Sequence, residues 1–174
     1  MYSQAGQDEW VLSMIPTGKY LEIGASHPVN ISNTYLLEQS GWTGTSVDID
    51  NQCEELWKQT RKNRLIIGNA LTMSFEWLPK RIEYLSLDID PARNTFDMLT
   101  KLPHSQTRFS LITYEHDYYL VNEWAGHDFR ERSRELLTGL GYQLYRPDVC
   151  YEGKPFEDWW IDPKDERLWA LLST

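Results

Sequence analysis

Acidic side chains stand directly after two apolar runs of this sequence. Asp88 and Asp90 follow one run, and Glu115, His116 and Asp117 follow another. Crowded carboxylates share a proton or bind a cation, and a histidine accepts protons near neutral pH. We therefore predict that Asp88 and His116 are catalytic, and that Asp88, Glu115 and His116 hold Mg²⁺ or Mn²⁺. The alternative is a purely structural role as turn caps and buried hydrogen-bonding groups.

A second set of polar residues stands at the ends of three other apolar runs. Residues 22–26 (EIGAS) end the first run with a turn of small residues, which lets a ligand approach the backbone closely. Asp48 ends the second run, where a carboxylate can accept both hydroxyls of a ribose, and Asn69 follows the third, where it can meet an adenine edge. The glycine-rich pattern that binds a pyrophosphate is absent. This combination points to S-adenosylmethionine rather than to NAD or ATP.

Strand-like apolar runs alternate with segments of helical spacing, and this alternation must position the polar residues. The predicted strands are 19–23, 43–47, 64–67, 82–87 and 109–114, and the predicted helices are 33–40, 52–62, 92–102 and 128–140. The tail predicts closely spaced strands at 142–145, 148–151 and 157–161, then a closing helix at 163–172. We predict a three-layer α/β fold with a doubly wound, mostly parallel sheet and an antiparallel C-terminal strand, with ligands beyond the carboxyl ends of the strands.

Length, charge and composition narrow the class of protein. The chain has 174 residues and a formal net charge of −9, and 41% of its residues are hydrophobic. One domain over residues 1–174 is expected, and the acidic balance argues against a nucleic-acid partner. The sequence contains no apolar stretch long enough to span a bilayer and no signal peptide at its start, so we expect a cytoplasmic protein without a membrane partner. Its two cysteines have no metal-binding spacing and are expected to be reduced.

Several stretches match a known family in the same order along the chain. They are YSQAGQD at 2–8, YLEIGA at 20–25, SNTYLLE at 32–38 with GWTG at 41–44, YLSLDID at 84–90 and YEH at 114–116. In these stretches the sequence resembles the FkbM-type S-adenosylmethionine-dependent methyltransferases, a branch of the class I Rossmann-like methyltransferases. It departs from the family pattern at His27-Pro28 and at Asn69, where an aspartate is common.

The resemblance implies a seven-stranded sheet and transfer of a methyl group, most often to a hydroxyl of a sugar or small metabolite. It implies that the turn after the first strand holds the methionine portion of the cofactor, that Asp48 holds the ribose and that residues 69–70 lie near the adenine. The cofactor residues expected on this basis are Gln7, Glu22, Gly24, Ala25, Ser26, Asn33, Asp48, Asn69 and Ala70.

Aromatic and acidic residues near the predicted site could bind the acceptor. Asp90, Tyr118, Tyr119 and Trp159 are the candidates, for a small-molecule or carbohydrate acceptor. The short chain leaves few residues to close a pocket, so either the pocket is open or a partner chain, which could be a second copy in a homo-oligomer, closes it.

Two other functions compete with methyl transfer. The Asp-x-Asp pattern at 88–90 and 48–50 resembles the nucleotide-sugar site of glycosyltransferases. In that case the turn at residues 22–26 would have no function. A non-catalytic binding module of the same fold is the other alternative, and cofactor binding discriminates it from the enzymes.

Overall fold

Seven strands form one mixed sheet in the computed structural model, which describes residues 2–120 and 129–169. The strands are β1 (Lys19–Ile23), β2 (Thr43–Asp48), β3 (Arg64–Ile67), β4 (Arg81–Leu87), β5 (Arg108–Glu115), β6 (Gln143–Tyr151) and β7 (Lys154–Ile161). Their spatial order is β3-β2-β1-β4-β5-β7-β6, and β7 runs antiparallel to both of its neighbours. The predicted fold class is confirmed.

The edge strand β6 corrects the prediction for the tail. The sequence predicts separate strands at 142–145 and 148–151, yet residues 143–151 form one strand that pairs with β7. Its register shifts between Arg146 and Val149, and Asp148 has a positive φ of 53°. The intervening Pro147 donates no hydrogen bond, which an edge strand tolerates. The irregularity therefore makes the sequence pattern resemble two strands, although the structure has one.

Five α-helices lie within the described residues. They are α1 (Gln7–Met14), α2 (Tyr35–Gln39), α3 (Glu54–Thr60), α4 (Ala92–Lys101) and α5 (Phe129–Gly139). Helix α1 was not predicted, because Gln7 and Asp8 are buried beside its apolar residues and blur the pattern. The predicted closing helix contains a short 3₁₀ turn, Glu166–Leu168, and its last residues lie outside the described part. No helix within the described ranges is both long and apolar enough to cross a membrane.

The two faces of the sheet carry separate hydrophobic cores. One core packs Leu85, Ile112 and Trp160 of the sheet against α4 and α5. The other packs Tyr84 and Trp159 against α1 and α2. Because successive strand residues point to opposite faces, each strand contributes to both cores, and the helices leave the carboxyl ends of β1 to β4 open.

Arg61, which follows α3, ties the segment after β1 to the sheet. Its buried guanidinium donates to Glu38 at 2.7 Å, to the Tyr20 hydroxyl and Thr34 Oγ1 at 2.9 Å each, and to the carbonyl of Pro28 at 2.9 Å. The sequence predicts Arg61 near the end of the helix at 52–62 and gives no sign of this role. One side chain therefore holds α2 and the loop before it in place.

We expect Arg61→Met to lower the free energy of unfolding by about 3–5 kcal/mol, because it leaves the buried Glu38 carboxylate without its ion-pair partner. Urea denaturation of the variant and of wild type measures the difference. The matched control is Lys62→Met, an exposed neighbour, which should change stability by about 0.5 kcal/mol or less. Equal effects of the two substitutions on the free energy of unfolding would contradict this role of Arg61.

Candidate functional site

A cavity of about 710 Å³ opens at the carboxyl ends of β1 to β4. Its volume lies within the range of roughly 300–1,000 Å³ that is usual for small-molecule sites. Eight of the predicted cofactor residues line it: Glu22, Gly24, Ala25, Ser26, Asn33, Asp48, Asn69 and Ala70. Asp88 and Asp90 line it as well. The structure thus brings together, in one cavity, residues that lie far apart in the sequence.

Gly24 allows the ends of β1 and β4 to meet. It has a φ of +88°, and a Cβ atom at this position would lie 1.5 Å from the backbone oxygen of Asp88. That distance is far inside van der Waals contact, and the neighbouring atom is backbone, so only glycine fits. Asp88 follows β4 directly, and its backbone N–H donates to Ile23 O at 3.0 Å. The tight turn therefore sets Asp88 beside the floor of the cavity.

Asp48 holds the turn after β1 in shape. One carboxylate oxygen accepts from the Ser26 N–H at 2.6 Å, and the other accepts from the Asp50 N–H at 2.8 Å. Each carboxylate oxygen has a second lone pair, so the side chain can still accept from two neighbouring hydroxyls of a ligand.

Asn69 and His27 present donors to the cavity rather than acceptors. Asn69 Oδ1 accepts from the Leu71 N–H at 2.9 Å, which leaves recognition of an adenine edge to its NH₂ group. His27 Nδ1 accepts from the N–H groups of Val29 and Asn30 at 3.1 and 2.9 Å, so the neutral ring carries its proton on Nε2. Both residues line the cavity.

Three carboxyl groups lie side by side on the face of the sheet that packs against α1 and α2. Asp88 and Glu115 follow the register pair Leu87–Tyr114 of β4 and β5, and Glu115 pairs with Glu157 of β7. We call Asp88, Glu115 and Glu157 the carboxylate row. Adjacent strands lie about 4.8 Å apart, so the three carboxyl groups are neighbours.

Burial raises the pKa of each carboxyl group in this row. It raises the pKa of Asp88 to about 6, and burial together with the charge of Asp88 raises the pKa of Glu115 far above its usual range. Burial also raises the pKa of Glu157 to about 8, although a hydrogen bond from the Trp159 indole opposes the shift. Asp88 and Glu115 are hydrogen-bonded to each other, and the much higher pKa of Glu115 makes Glu115 the donor of that hydrogen bond. No sequence signal distinguished Glu157 from other acidic residues of the tail.

His116, predicted as a catalytic base and a metal ligand, lies on the opposite face of the sheet from Glu115 and does not line the cavity. The ring is 2% exposed, its Nδ1 accepts from the Tyr118 N–H at 3.1 Å, and its Nε2 lies 3.5 Å from Asp158 Oδ1. It therefore cannot serve as the base of the cavity, and it cannot complete a metal site with Asp88 and Glu115.

The metal-ligand grouping found among residues 2–120 and 129–169 consists of His116, Asp148 and Asp158, with donor atoms within 4.8 Å of one another. Arg134 contacts both aspartates, at 2.7 Å for Asp158 and 3.0 Å for Asp148, and Arg130 adds a contact of 3.0 Å to Asp148. Burial raises the pKa of Asp158, but the hydrogen bonds from Arg134 outweigh this effect and hold it at about 2. The arginines satisfy these carboxylates, so the group is an ion-pair network.

Two further predicted site residues belong to the interior. Trp159, predicted as a substrate contact, is 2% exposed, stacks on Trp10 with ring centroids 4.5 Å apart and does not line the cavity. Gln7 is 1% exposed, accepts from the Ala5 N–H at 2.8 Å and hydrogen-bonds to Glu157. It lies behind the carboxylate row and does not line the cavity.

The predicted acceptor residues Tyr118 and Tyr119 lie in a 3₁₀ turn after β5. The Arg130 guanidinium lies 3.5 Å from the ring centroid of Tyr118. Tyr119 is 41% exposed, and its hydroxyl is hydrogen-bonded to Asp117. Neither ring lines the cavity, and the following residues 121–128 lie outside the described part.

Glu157→Gln should become more stable relative to wild type as the pH rises. A carboxyl whose pKa is raised by folding contributes stability that is present below its unfolded pKa and is lost as the pH rises through the folded value, about 8 here. One unit of pKa shift corresponds to roughly 1.4 kcal/mol of stability. Between pH 5 and 9 we therefore expect the free energy of unfolding of Glu157→Gln to rise relative to wild type by more than about 1 kcal/mol.

Urea denaturation at both ends of that pH range measures the gain. Glutamine keeps an oxygen that accepts from the Trp159 indole, so the packing is retained. Glu76→Gln, an exposed site, is the matched control and should show no such trend. A pH-independent difference between Glu157→Gln and wild type would mean that Glu157 is ionised normally.

No protein-family model and no curated protein matches this chain. Solved structures do match it, at low sequence identity. A SAM-dependent methyltransferase from Archaeoglobus fulgidus aligns with a TM-score of 0.59 and 19% identity over 86% of this chain and 73% of its own.

Two further structures widen the range of acceptors seen among the neighbours. The 1,6-didemethyltoxoflavin-N1-methyltransferase of Burkholderia thailandensis, with 1,6-didemethyltoxoflavin and S-adenosylhomocysteine bound, aligns at a TM-score of 0.56 and 12% identity over 91% of this chain and 76% of its own. An rRNA methylase from Streptococcus thermophilus aligns with a TM-score of 0.56 and 12% identity over 89% of this chain and 93% of its own. The chain therefore has the fold of the class I S-adenosylmethionine-dependent methyltransferases.

Proposed function

We propose that this chain is an S-adenosylmethionine-dependent methyltransferase that methylates a hydroxyl of a sugar or another small molecule. The cavity carries the proposal, because it places Asp48 and the turn at Gly24 together at the carboxyl ends of the strands, where ligands of open α/β sheets bind. The solved neighbours of this fold include SAM-dependent methyltransferases. Membership of the FkbM-type branch is part of the proposal and is supported by the sequence stretches alone.

The groups in the cavity fit the cofactor. The Asp48 carboxylate offers two acceptor oxygens to a ribose diol, and Asn69 offers its NH₂ group to an adenine nitrogen. Gly24 lets the ligand approach the backbone, and His27 offers an N–H donor to a carboxylate. The glycine-rich cradle for a pyrophosphate is missing from the turn, which favours a nucleoside without phosphates.

Asp88 is the chain's candidate for the proton acceptor. The bound cofactor would supply an electrophilic methyl group, so the protein's task is to orient the acceptor and remove one proton. Asp88 lines the cavity, and its pKa of about 6 leaves it mostly ionised at neutral pH while still basic enough to accept a proton. Glu115 retains its own proton and donates to Asp88, which keeps the base in position.

The charge of the chain supports a small acceptor over a nucleic acid. Its formal net charge is −9, and the carboxylates Asp88 and Asp90 line the cavity. A phosphate backbone would be repelled there, even though one structural neighbour is an rRNA methylase. Small neutral or cationic molecules meet no such barrier.

Calorimetric titration tests the cofactor. We expect S-adenosylmethionine and S-adenosylhomocysteine to bind in the micromolar range, and Asp48→Ala to weaken both by at least about tenfold through loss of a charge-assisted hydrogen bond to the ribose. Asp48→Asn keeps one acceptor for the Ser26 N–H and controls for the shape of the turn. Asp97→Asn, on the surface of α4, controls for net charge. Absence of binding to wild type would favour the non-catalytic module.

Turnover tests the acceptor and the base. We expect release of S-adenosylhomocysteine with some member of a panel of sugars and hydroxylated metabolites, rising with pH through about 6 as Asp88 ionises. Asp88→Asn should lower that rate by about 100-fold or more. Unchanged turnover in Asp88→Asn would remove Asp88 from the mechanism, and methylation of amines alone would exclude hydroxyl transfer.

A further inference from the structure

A second cavity lies at the opposite edge of the sheet from the candidate cofactor site. Its volume is about 440 Å³, and it opens at the amino ends of β1, β2 and β4, beside Lys19, Thr43 and Ile82. This volume lies within the range of roughly 300–1,000 Å³ that is usual for small-molecule sites. The two cavities share no lining residue. A ligand bound here would therefore leave the cofactor site open.

A tryptophan ring forms part of the wall of this second cavity. Trp77 lines it and is 50% exposed. Its indole N–H donates to the carbonyl of Ser74 at 3.0 Å, and its ring is stacked with that of Phe75, with centroids 6.2 Å apart. Because the only polar group of the indole is already satisfied, the exposed part of the ring offers carbon surface alone. The electron-rich face of an aromatic ring is a good platform for the C–H groups of a sugar ring.

Three polar side chains of the wall offer hydrogen bonds to a ligand. Asn63 is fixed by its Nδ2 group, which donates to the Trp42 carbonyl at 3.1 Å, and it offers its Oδ1 atom as an acceptor. Thr43 and Thr45 add two hydroxyls, each of which both donates and accepts. Donors and acceptors at fixed points beside an aromatic ring match the hydroxyl groups of a sugar.

The charge of this cavity is opposite to that of the cofactor site. Lys19 is the one charged residue among the described residues that line it. The neighbouring Glu83 carboxylate already accepts from the Lys19 N–H at 2.8 Å and from Arg167 at 3.2 Å. Arg64 of β3 is the register partner of Thr45 and adds a second positive charge at this edge. The cofactor site is instead lined by the carboxyl groups of Glu22, Asp48, Asp50, Asp88 and Asp90.

We propose that this second cavity binds a uronic acid, which is a sugar whose pyranose ring carries a carboxylate. The ring lies on Trp77, the carboxylate faces Lys19, and the hydroxyl groups contact Asn63 and the two threonines. An inorganic anion lacks a C–H face for the indole, and a neutral sugar lacks a charge for the ammonium group.

The cavity is a binding site and not a second active site, because no bond is made or broken in it. The proposal goes beyond methyl transfer and does not depend on it, since the sugar binds without the cofactor. A sugar at this edge of the sheet is also too far from the cofactor site to accept a methyl group there, because the five residues of β1 span roughly 13 Å.

Heteronuclear NMR of the whole chain tests the proposal through the indole N–H signals of its eight tryptophans. The signal that is missing from the spectrum of Trp77→Ala identifies Trp77. Glucuronate and galacturonate are the probes, and glucose and galactose are their uncharged counterparts. At low ionic strength we expect at least one of the two acids to shift the Trp77 signal with millimolar affinity, and its uncharged counterpart to bind at least about threefold more weakly. S-adenosylhomocysteine should not displace the acid.

Variants assign the two main contacts, with saturation-transfer NMR on the sugar protons as the measure of affinity. Trp77→Ala should weaken binding of the acid by about tenfold or more. Trp169→Ala is the matched control and should leave it unchanged, because Trp169 is 53% exposed and its indole N–H likewise donates to a backbone carbonyl, that of Pro163. Lys19→Met should remove the preference for the acid over its uncharged counterpart.

Any of three results would overturn the proposal: no shift of the Trp77 signal with either acid, equal affinity of Trp77→Ala and wild type, or a preference for the acid that survives Lys19→Met. A dimer in sedimentation that Trp77→Ala dissociates would assign the cavity to a second copy of the chain, and the proposal would again be wrong. None of these results bears on the cofactor site, which calorimetry tests separately.

Discussion

Buried carboxyl groups placed side by side across neighbouring strands are the constraint on which this site depends. The register of β4, β5 and β7 puts Asp88, Glu115 and Glu157 on one face, where the main charges acting on Asp88 and Glu115 are other carboxylates. Ionised carboxylates are expensive to bury, so burial raises the pKa of all three groups.

Elsewhere on the same face, buried charge is balanced in the ordinary way. Glu22 accepts from Thr34 at 2.8 Å and from Ser46 at 2.6 Å, and the Arg61 guanidinium offsets part of the rise in its pKa that burial causes. Arg61 also fixes the loop at Pro28. The chain thus supplies a cation beside Glu22, whereas the main influences on the pKa values of Asp88 and Glu115 include none.

The alternation of apolar runs and helical spacing was enough to predict the parallel part of the sheet and the residues at its carboxyl ends. It failed where the outcome depended on side-chain direction or on distant pairing. Glu115 and His116 are adjacent on a strand and so point to opposite faces, a consequence of strand geometry that was available from the sequence. Glu157 and Trp159 could not be placed, because β7 enters the sheet between β5 and β6, out of sequence order.

A crystal structure of the protein grown with S-adenosylhomocysteine tests the central claim most directly, which is that one cavity at the ends of β1 to β4 holds this nucleoside. We predict ribose hydroxyls within hydrogen-bond distance of Asp48, adenine at Asn69 and the sulfur beside Asp88. A ligand bound elsewhere, or the reverse orientation with adenine at Asp88, would contradict the account.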